Sequence, residues 1–306
     1  MNIAYISGVK YGHEFLAAII NAGWKVSVVF SYNDSKKQLY SDFASFDDIT
    51  EKYGIKHIKV KNINDLDNVR FLEQIKPDVI LVMGWSQLLK SDILKMPKIG
   101  VIGSHPTELP KFRGRAPIPW SIIKDLKESA LTFFYMGEGI DDGDILDQQK
   151  FEISEEDDAE SIYEKIINIG KKMLLMNLEL LEKGEAKKTK QDPTKFIEYW
   201  PKRTPEDGKI EWTKSGKEIH RLIRATTRPY PGAFCFFKNN LIKIWKAKYL
   251  DKKSDGYGKI MRINKDSIEV GTGEGVLLLQ KISVGDSAIL NPVQVYSKED
   301  LGLHLT

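Results

Sequence analysis

The chain has 306 residues, 42% hydrophobic and 29% charged, which is typical of a globular protein with room for two domains. Its formal net charge of +3 excludes the strongly basic composition of a dedicated nucleic-acid binder. A single cysteine, Cys235, excludes an internal disulfide, and no apolar run is long enough to span a bilayer. Because the first residues also lack the pattern of a signal peptide, we expect a cytoplasmic protein with no membrane partner.

Buried strands alternate with amphipathic helices through the first 105 residues. Continuous apolar runs predict strands, and apolar residues at helical spacing predict the helices between them. The predicted strands are 2–7, 26–30, 55–60, 79–83 and 98–103, and the predicted helices are 13–22 and 66–75. This alternation predicts an α/β fold with a doubly wound, mostly parallel, Rossmann-like sheet.

Beyond residue 130 the pattern changes to two strands, 130–136 and 148–153, and then one long helix. Ser154 and Asp157 have the spacing of a capping box, so we expect this helix to begin at Ser154 and to end at Gly184. Its apolar stripe is explained by core packing alone.

The C-terminal part reads as a helix over 217–224 and short strands separated by glycine-rich turns. The predicted strands are 233–237, 242–246, 258–263, 267–270 and 276–282. Five short strands at this spacing predict a small, OB-like β-barrel. We therefore expect a catalytic domain over 1–190, a linker over 191–204 and a β-barrel domain over 205–306.

The chemistry-bearing segment is residues 100–149. His105 directly follows a predicted buried strand, and ligands of open α/β sheets bind at the carboxyl ends of such strands. Four prolines stiffen the loop that follows, so its side chains are held in fixed places. Arg113 and Arg115 could bind phosphate or pair with carboxylates, and Asp141 lies in a tight loop between Gly139 and Gly143.

Two motifs in this segment resemble one family of enzymes. HPTELPKFRGRAPIPW and GIDDGDILDQ resemble the signatures of the 10-formyltetrahydrofolate-dependent formyltransferases, and PKRTPEDGKIEW with IRATTRPYPGAF resembles their second domain. The combination is most similar to the branch that acts on nucleotide-linked amino sugars. The resemblance implies the donor N10-formyltetrahydrofolate, no metal, and a homodimer.

By this resemblance His105 and Asp141 are the catalytic residues, since both match catalytic positions of the family. The family carries an asparagine two residues before the histidine, and Gly103 stands there in this chain. The missing amide would have stabilised the developing oxyanion. We hypothesise that Ser104, Thr107 or a bound water supplies this donor.

The resemblance also assigns the two substrates to particular residues. The predicted folate-binding residues are Met83, Trp85, Gln87, Leu88, Leu89, Gly137, Gly139 and Ile140. The predicted acceptor-binding residues are Thr107, Arg113, Arg115, Arg203 and Tyr230, although Arg203 and Tyr230 could instead be structural residues at the domain junction.

Three functions compete for the acceptor. The first is formylation of the amine of a nucleotide-linked deoxyamino sugar, with no nucleic acid as partner. The second is a methionyl-tRNA formyltransferase, which would need concentrated Lys and Arg, whereas the segment after Phe30 is mixed in charge. The third is a folate-binding module without catalysis, which Gly103 favours and the retained His105 and Asp141 oppose. No cluster of His, Cys and carboxylates has the spacing of a zinc site.

Overall fold

A seven-stranded sheet forms the centre of the N-terminal part of the chain. The computed structural model describes residues 1–37 and 41–306. The strands of this part are β1 (Ile3–Ser7), β2 (Val26–Tyr32), β3 (Lys56–Val60), β4 (Val79–Met83), β5 (Gly100–His105), β6 (Phe112–Gly114), β7 (Glu128–Tyr135), β8 (Ile145–Glu152) and β9 (Glu198–Trp200). The helices are α1 (Lys10–Asn21), α2 (Asp47–Tyr53), α3 (Leu66–Ile75), α4 (Ser91–Leu94), α5 (Pro117–Ile123) and α6 (Ala159–Lys183).

The strand order of the sheet is β3-β2-β1-β4-β5-β7-β8. Strands β1 to β5 are parallel, and β7 and β8 pair antiparallel at one side. The prediction of an α/β fold with a mostly parallel sheet is confirmed. Because the chain order reverses between β1 and β4, the carboxyl ends of the central strands border a crevice, where open α/β sheets bind their ligands.

Both faces of this sheet are covered, which explains why its central strands are apolar throughout. All five residues of β1 are buried, and so are all five of β4. On one face Ala4 and Ile6 belong to a hydrophobic cluster that includes Val82 and Val101. On the other face Phe15 of α1 lies so close to Gly170 of α6 that a Cβ at position 170 would overlap its ring. Burial on two faces is typical of parallel sheets.

The long helix begins later than the sequence predicts, at Ala159 rather than at Ser154. Ser154 does donate to Asp157, with its backbone nitrogen 2.7 Å from Oδ2. A second, reciprocal pair follows at once, in which Ser161 N donates to Asp158 Oδ1 and Asp158 N donates to Ser161 Oγ, both at 3.0 Å. The second capping pair starts the helix, and the first only closes the preceding turn.

The C-terminal part contains α7 (Gly216–Thr226) and an antiparallel sheet. Its strands are β10 (Ala233–Phe237), β11 (Asn240–Leu250), β12 (Ile260–Ile263), β13 (Ile268–Gly271) and β14 (Val276–Val284), in the order β10-β11-β14-β13-β12. Residues 302–306 then bridge the two edge strands: Ile260 N donates to Leu303 O at 2.9 Å, and Phe236 N donates to Thr306 O at 2.6 Å. Backbone hydrogen bonds therefore run around the whole sheet, while the OB-like topology stays a prediction.

Contacts divide the described chain into two units. The first comprises 1–117, 128–152 and 163–201, and the second comprises 118–127, 153–162 and 202–306. Most of the predicted linker, up to Pro201, belongs to the first unit by its contacts. Among the described residues, no helix is long and apolar enough to cross a membrane.

Candidate active site

Strand β5 carries His105 to the carboxyl edge of the central sheet. The residue pairs with Thr132 of β7, so its backbone is fixed by the sheet. Its side chain is only 7% exposed. The sequence predicts this position, although it places the strand end two residues earlier.

The loop between β7 and β8 brings Asp141 to the same place. Glycines make its tight path possible: a Cβ at position 139 would overlap the carboxylate of Asp142, and one at position 143 would overlap the carbonyl of Tyr135. Asp141 itself has a φ of +50°, in the left-handed region that Asp tolerates better than most residues. Its side chain is 20% exposed, so the carboxylate remains open to solvent or a ligand.

The imidazole and the carboxylate face each other. His105 Nδ1 lies 3.7 Å from Asp141 Oδ2, which is ion-pair range but longer than a hydrogen bond. His105 Nε2 lies 3.0 Å from the carbonyl oxygen of Phe112. Because a carbonyl can only accept, Nε2 carries a proton, and in the neutral ring Nδ1 is the atom with a free lone pair. The nitrogen that faces Asp141 is therefore the one able to take up a proton.

A buried hydrogen-bond network holds the loop after His105. The Thr107 hydroxyl donates to the Phe112 carbonyl at 2.5 Å, and the Thr107 carbonyl accepts from Thr132 Oγ1 at 2.6 Å. Gln148 Nε2 donates to Thr132 Oγ1 at 2.8 Å and to Leu109 O at 3.0 Å. Thr107 is fully buried, so its hydroxyl proton is committed to the loop.

Ser104 points away from His105, because successive side chains of a strand alternate between faces. Its hydroxyl lies 3.3 Å from the hydroxyl of Tyr11, at the start of α1. Burial raises the pKa of Tyr11 well above its ordinary value, so this phenol stays protonated at neutral pH. The pair Ser104–Tyr11 therefore keeps hydroxyl protons beside the carboxyl end of β5.

Gly103 is closed over by its neighbours. A Cβ at this position would lie 2.9 Å from Cγ and 3.1 Å from Sδ of Met136, and 3.1 Å from the ring of Phe134. The space that a larger residue would need is thus filled by a thioether and an aromatic ring. The sequence shows the glycine but gives no sign that Met136 covers it.

The predicted folate residues lie on two loops of the first unit. Met83 is buried at the end of β4, and Leu89 is buried beyond it, whereas Leu88 is 63% exposed. Trp85 stacks on Tyr32 with ring centroids 3.8 Å apart. Gln87 uses its side chain within the protein, since Nε2 donates to Lys61 O at 2.6 Å.

On the second loop, Gly137 and Gly139 lie under the Asp142 carboxylate, and Ile140 is 48% exposed. Met136 and Trp85 pack against the same hydrophobic cluster, so the two predicted folate loops share one support.

The two arginines of the RGR motif differ. Arg113 Nη2 donates to Gln191 Oε1 at 2.8 Å, and its guanidinium lies over Phe196 at 5.5 Å. Arg115 has an exposed side chain, and within residues 1–37 and 41–306 only its backbone is tied, by N–H donation to Trp200 O at 2.9 Å. Arg113 is thus held by the protein, and Arg115 is available to a ligand.

Sequence reasoning missed Gln191, which together with Trp200 builds the site from the segment predicted as a linker. Strand β9 pairs in parallel with β6, and Trp200 stacks on Phe112 at 4.6 Å. Gln191 Nε2 donates to the carbonyls of Asp141 and Gly143, both at 2.8 Å. Strand β9 has only three residues, so it shows no periodicity that the sequence could reveal.

Arg203 and Tyr230 lie in the second unit. Arg203 Nη2 donates to Asp207 O at 2.7 Å, and its guanidinium lies over the ring of Trp120 at 4.9 Å. Arg203, Trp120, Lys209 and Arg221 are among the residues that line a cavity of about 310 Å³. Tyr230 is half-buried and does not line this cavity.

No group of three or more His, Cys, Asp or Glu side chains in residues 1–37 and 41–306 could hold a metal ion. The site offers an imidazole, a carboxylate and hydroxyl groups for proton transfer and hydrogen bonding.

Comparison with known families matches both parts of the chain. Residues 1–178 match the model for formyl transferase, and residues 202–299 match the model for the formyl transferase C-terminal domain. Methionyl-tRNA formyltransferase of Clostridioides difficile is 36% identical over 74% of this chain and 72% of its own length. The enzyme of the same name from Alkaliphilus oremlandii is 32% identical over 92% of this chain and 91% of its own.

Solved structures share the fold. HypX from Aquifex aeolicus, in complex with tetrahydrofolic acid, superposes with a TM-score of 0.68 at 20% identity. It covers 96% of this chain, and this chain spans 46% of HypX. The N-formyltransferase of Helicobacter canadensis, in complex with folinic acid and dTDP-3-aminofucose, gives a TM-score of 0.68 at 20% identity and covers 91% of this chain and 98% of its own.

Proposed function

This chain belongs to the formyl transferase family and is a formyltransferase, and we propose that it moves the formyl group of N10-formyltetrahydrofolate onto the amine of a nucleotide-linked deoxyamino sugar. The observation that carries the proposal is the separation of 3.7 Å between His105 Nδ1 and Asp141 Oδ2 at the carboxyl edge of the central sheet. Two groups that exchange protons thus meet where such folds bind their ligands.

In this proposal His105 accepts the proton of the attacking amine. The amine must lose a proton as it bonds to the formyl carbon, and the free lone pair on Nδ1 is placed to receive it. Nε2 stays bonded to the Phe112 carbonyl throughout, which fixes the ring plane. A positioned general base contributes on the order of 10²–10⁴ in rate.

Asp141 stabilises the imidazolium that results. Its Oδ2 also accepts from the backbone N–H of Gly114 at 2.9 Å, so the carboxylate is oriented before any substrate binds. A charge held in place in a half-buried site is more effective than one that must reorient during the reaction. A bound water is our proposed donor to the developing oxyanion, because Thr107 has already given its proton to Phe112 and Ser104 points to the face opposite His105.

The donor supplies an activated formyl group, so no covalent intermediate with the protein is needed. When the tetrahedral intermediate collapses, the bond from the formyl carbon to N10 breaks, and N10 leaves with the proton that His105 took from the amine. Trp85 supports its binding on the loops named above. Its indole nitrogen is buried and has no hydrogen-bond partner within the described chain, which leaves a donor for a polar ring. Leu88 and Ile140, both exposed, supply apolar contacts for the rest of the ring system.

A sugar nucleotide fits the charge distribution better than RNA does. Segment 31–54 carries five acidic residues and three lysines, which is the wrong sign for an RNA-gripping surface. Four of those acids already have partners. Lys59 Nζ lies 2.6 Å from Asp47 Oδ2 and 3.7 Å from Asp34 Oδ2, His13 Nε2 lies 3.1 Å from Asp48 Oδ1, and the Tyr163 hydroxyl donates to Asp42 Oδ2 at 3.0 Å. In the proposal Arg115 of the first unit binds phosphate, with Arg113 holding the strand beside it. Arg203 and Tyr230 of the second unit are separate candidates for contacts to the acceptor.

Arg203 has a second feature that suits an anion. Burial lowers its pKa, and the nearby Asp207 carboxylate acts in the opposite direction. A half-desolvated cation is stabilised further by a bound phosphate. The aromatic ring beneath it and the cavity around it leave room for one.

A direct assay tests the acceptor. Labelled N10-formyltetrahydrofolate is incubated with a panel of nucleotide-linked amino sugars and with methionyl initiator tRNA. We expect label in one or more sugars. Transfer to tRNA alone, with affinity that falls steeply with salt, would replace the sugar by the second candidate, which the curated relatives favour. Folate binding with no transfer to any acceptor of the panel would favour the third candidate, a folate-binding module without catalysis.

Our proposal also includes a homodimer. Light scattering of the purified protein measures its mass directly, and a monomer at assay concentration would remove this part.

A further inference from the structure

Gln191 ties three parts of the site together with all the hydrogen bonds that its amide can make. Its two N–H groups are used on the carbonyls of Asp141 and Gly143, both at 2.8 Å. Its oxygen accepts from the guanidinium fork of Arg113, at 2.8 Å from Nη2 and 3.3 Å from Nε. A half-buried side chain with every donor and acceptor used is fixed in one rotamer.

These contacts close a ring around Asp141. Arg113 is followed in the chain by Gly114, and the backbone N–H of Gly114 donates to Asp141 Oδ2 at 2.9 Å. Gln191 therefore holds the Asp141 backbone directly and the donor to its carboxylate through β6. Asp141 is thus held twice: Gln191 binds its main chain, and β6, which Gln191 fixes through Arg113, binds its carboxylate.

The loop needs such support, because Asp141 adopts a φ of +50°. Left-handed backbone costs a residue with a Cβ roughly 1–2 kcal/mol, and the conformation persists only where the surroundings enforce it. The neighbouring peptide oxygens point at Gln191 as a consequence. Without the amide of Gln191, the carbonyls of Asp141 and Gly143 would lose their hydrogen-bond partner, and the loop would adopt additional conformations.

We propose that Gln191 is a positioning residue for the formyl-transfer reaction: it sets the place of the Asp141 carboxylate opposite His105. The inference rests on the proposed role of Asp141. It also assigns the segment between the two family-matched regions a part in the chemistry, and it makes Arg113 a member of the support and not a free phosphate ligand.

Two substitutions separate the possible roles. Gln191→Ala removes all four contacts. Gln191→Glu keeps the size and can still accept from Arg113, but it presents an oxygen to the carbonyls of Asp141 and Gly143. Lys190→Ala changes an exposed neighbour in the same segment and is the control. All are assayed with the acceptor on which the wild-type protein shows turnover in the panel above.

We expect kcat to fall about ten- to hundredfold in both Gln191 variants, with KM of both substrates within about twofold, because a displacement of about 1 Å can cost 10²-fold. In an Asp141→Asn background Gln191→Ala should cost nothing further. Hydrogen exchange of residues 137–143 should quicken in both Gln191 variants, with Lys190→Ala unchanged.

The outcomes are distinct. Wild-type kcat in Gln191→Glu would mean that only the contact to Arg113 matters and would overturn the inference. An equal loss in the Asp141→Asn background would show a general structural role and overturn it as well. Full activity of Asp141→Asn itself would instead refute the proposed function. If Gln191→Ala fails to fold, the isosteric Gln191→Glu and its exchange rates decide.

Discussion

The two units of this chain bury polar groups in different ways. Around His105, side-chain hydrogen bonds connect β5, β6, β7, the Asp141 loop and Gln191, and several of the polar side chains lie in the interior. In the second unit an apolar cluster forms the core of the sheet, with Cys235, Ile244 and Leu279 among its fully buried members. The buried polar side chains of its strands make separate pairs, such as Ser283 with Trp245 and Glu269 with Lys252. Buried polar networks fix geometry and apolar cores supply stability, so the difference indicates where precision is required.

The largest effect should come from the polar network of the first unit. His105→Asn should lower kcat by on the order of 10²–10⁴, because it removes the proton acceptor. Folding should change little, since Thr107 still donates to the Phe112 carbonyl. Steady-state assays with thermal melts check both points. His304→Asn, at an exposed histidine of the second unit, is the matched control and should be active. Equal activity of the two variants would end the catalytic assignment.

A pair of glycines sharpens the comparison. Gly114 has a φ of +108°, and a Cβ there would overlap the carbonyl of Trp200. Gly285 has a φ of +55°, and a Cβ there meets nothing within 4 Å. Gly114→Ala should reduce kcat up to about 10²-fold, because the donor to Asp141 moves.

Gly285→Ala should cost roughly 1–2 kcal/mol of stability and leave turnover intact. Parallel melts and kinetics separate the two effects. A Gly114→Ala enzyme that is stable and fully active would show that the amide of residue 114 has no part in the reaction.

The second unit is expected to affect acceptor binding and not chemistry. Arg203→Ala should raise KM for the acceptor about tenfold or more, since a charge-assisted hydrogen bond contributes about 1.5–3 kcal/mol. KM for the folate donor and kcat should stay near wild type. Lys214→Ala alters a cation that lines the same cavity but pairs with Glu211 at 3.2 Å, and it serves as control. An unchanged KM for the acceptor in Arg203→Ala would show that Arg203 of the second unit does not contribute to acceptor binding.

The smallest effect concerns Cys235. Burial raises the pKa of this thiol to about 12, and the residue is fully buried in the second unit. Below that pH it stays protonated and inaccessible, so a disulfide reagent at pH 8 should not modify the native protein and should modify it fully in denaturant. Turnover should be unaffected by the reagent. Fast modification of the native protein would show that the apolar core opens easily.

Much of the fold follows from pattern because the central strands are buried on both faces. Apolar runs such as Val79–Met83 therefore predict these strands directly. The short pair β6 and β9 could not be predicted, since three residues show no period and the partners are far apart in the chain. Helix α5 was taken as part of a stiff loop, yet Pro117 begins it, as proline does readily at a first helical position.

The site divides in the same way. His105 and Asp141 could be named from their motifs. Gln191 could not, because its role depends on two carbonyl groups whose direction is set by the left-handed backbone at Asp141. Met136 over Gly103 is a similar case: the contact joins β5 to the residue that follows β7, and no local sequence pattern predicts it.

The central claim is that the imidazole of His105 and the carboxylate of Asp141 act as one unit in formyl transfer. Single-turnover rates of His105→Asn, Asp141→Asn and the double variant, with saturating donor, test it directly. Residues that work as a unit are strongly non-additive, so the double variant should be no slower than the slower single variant. Losses that multiply in the double variant, or a wild-type rate in either single variant, would contradict the account.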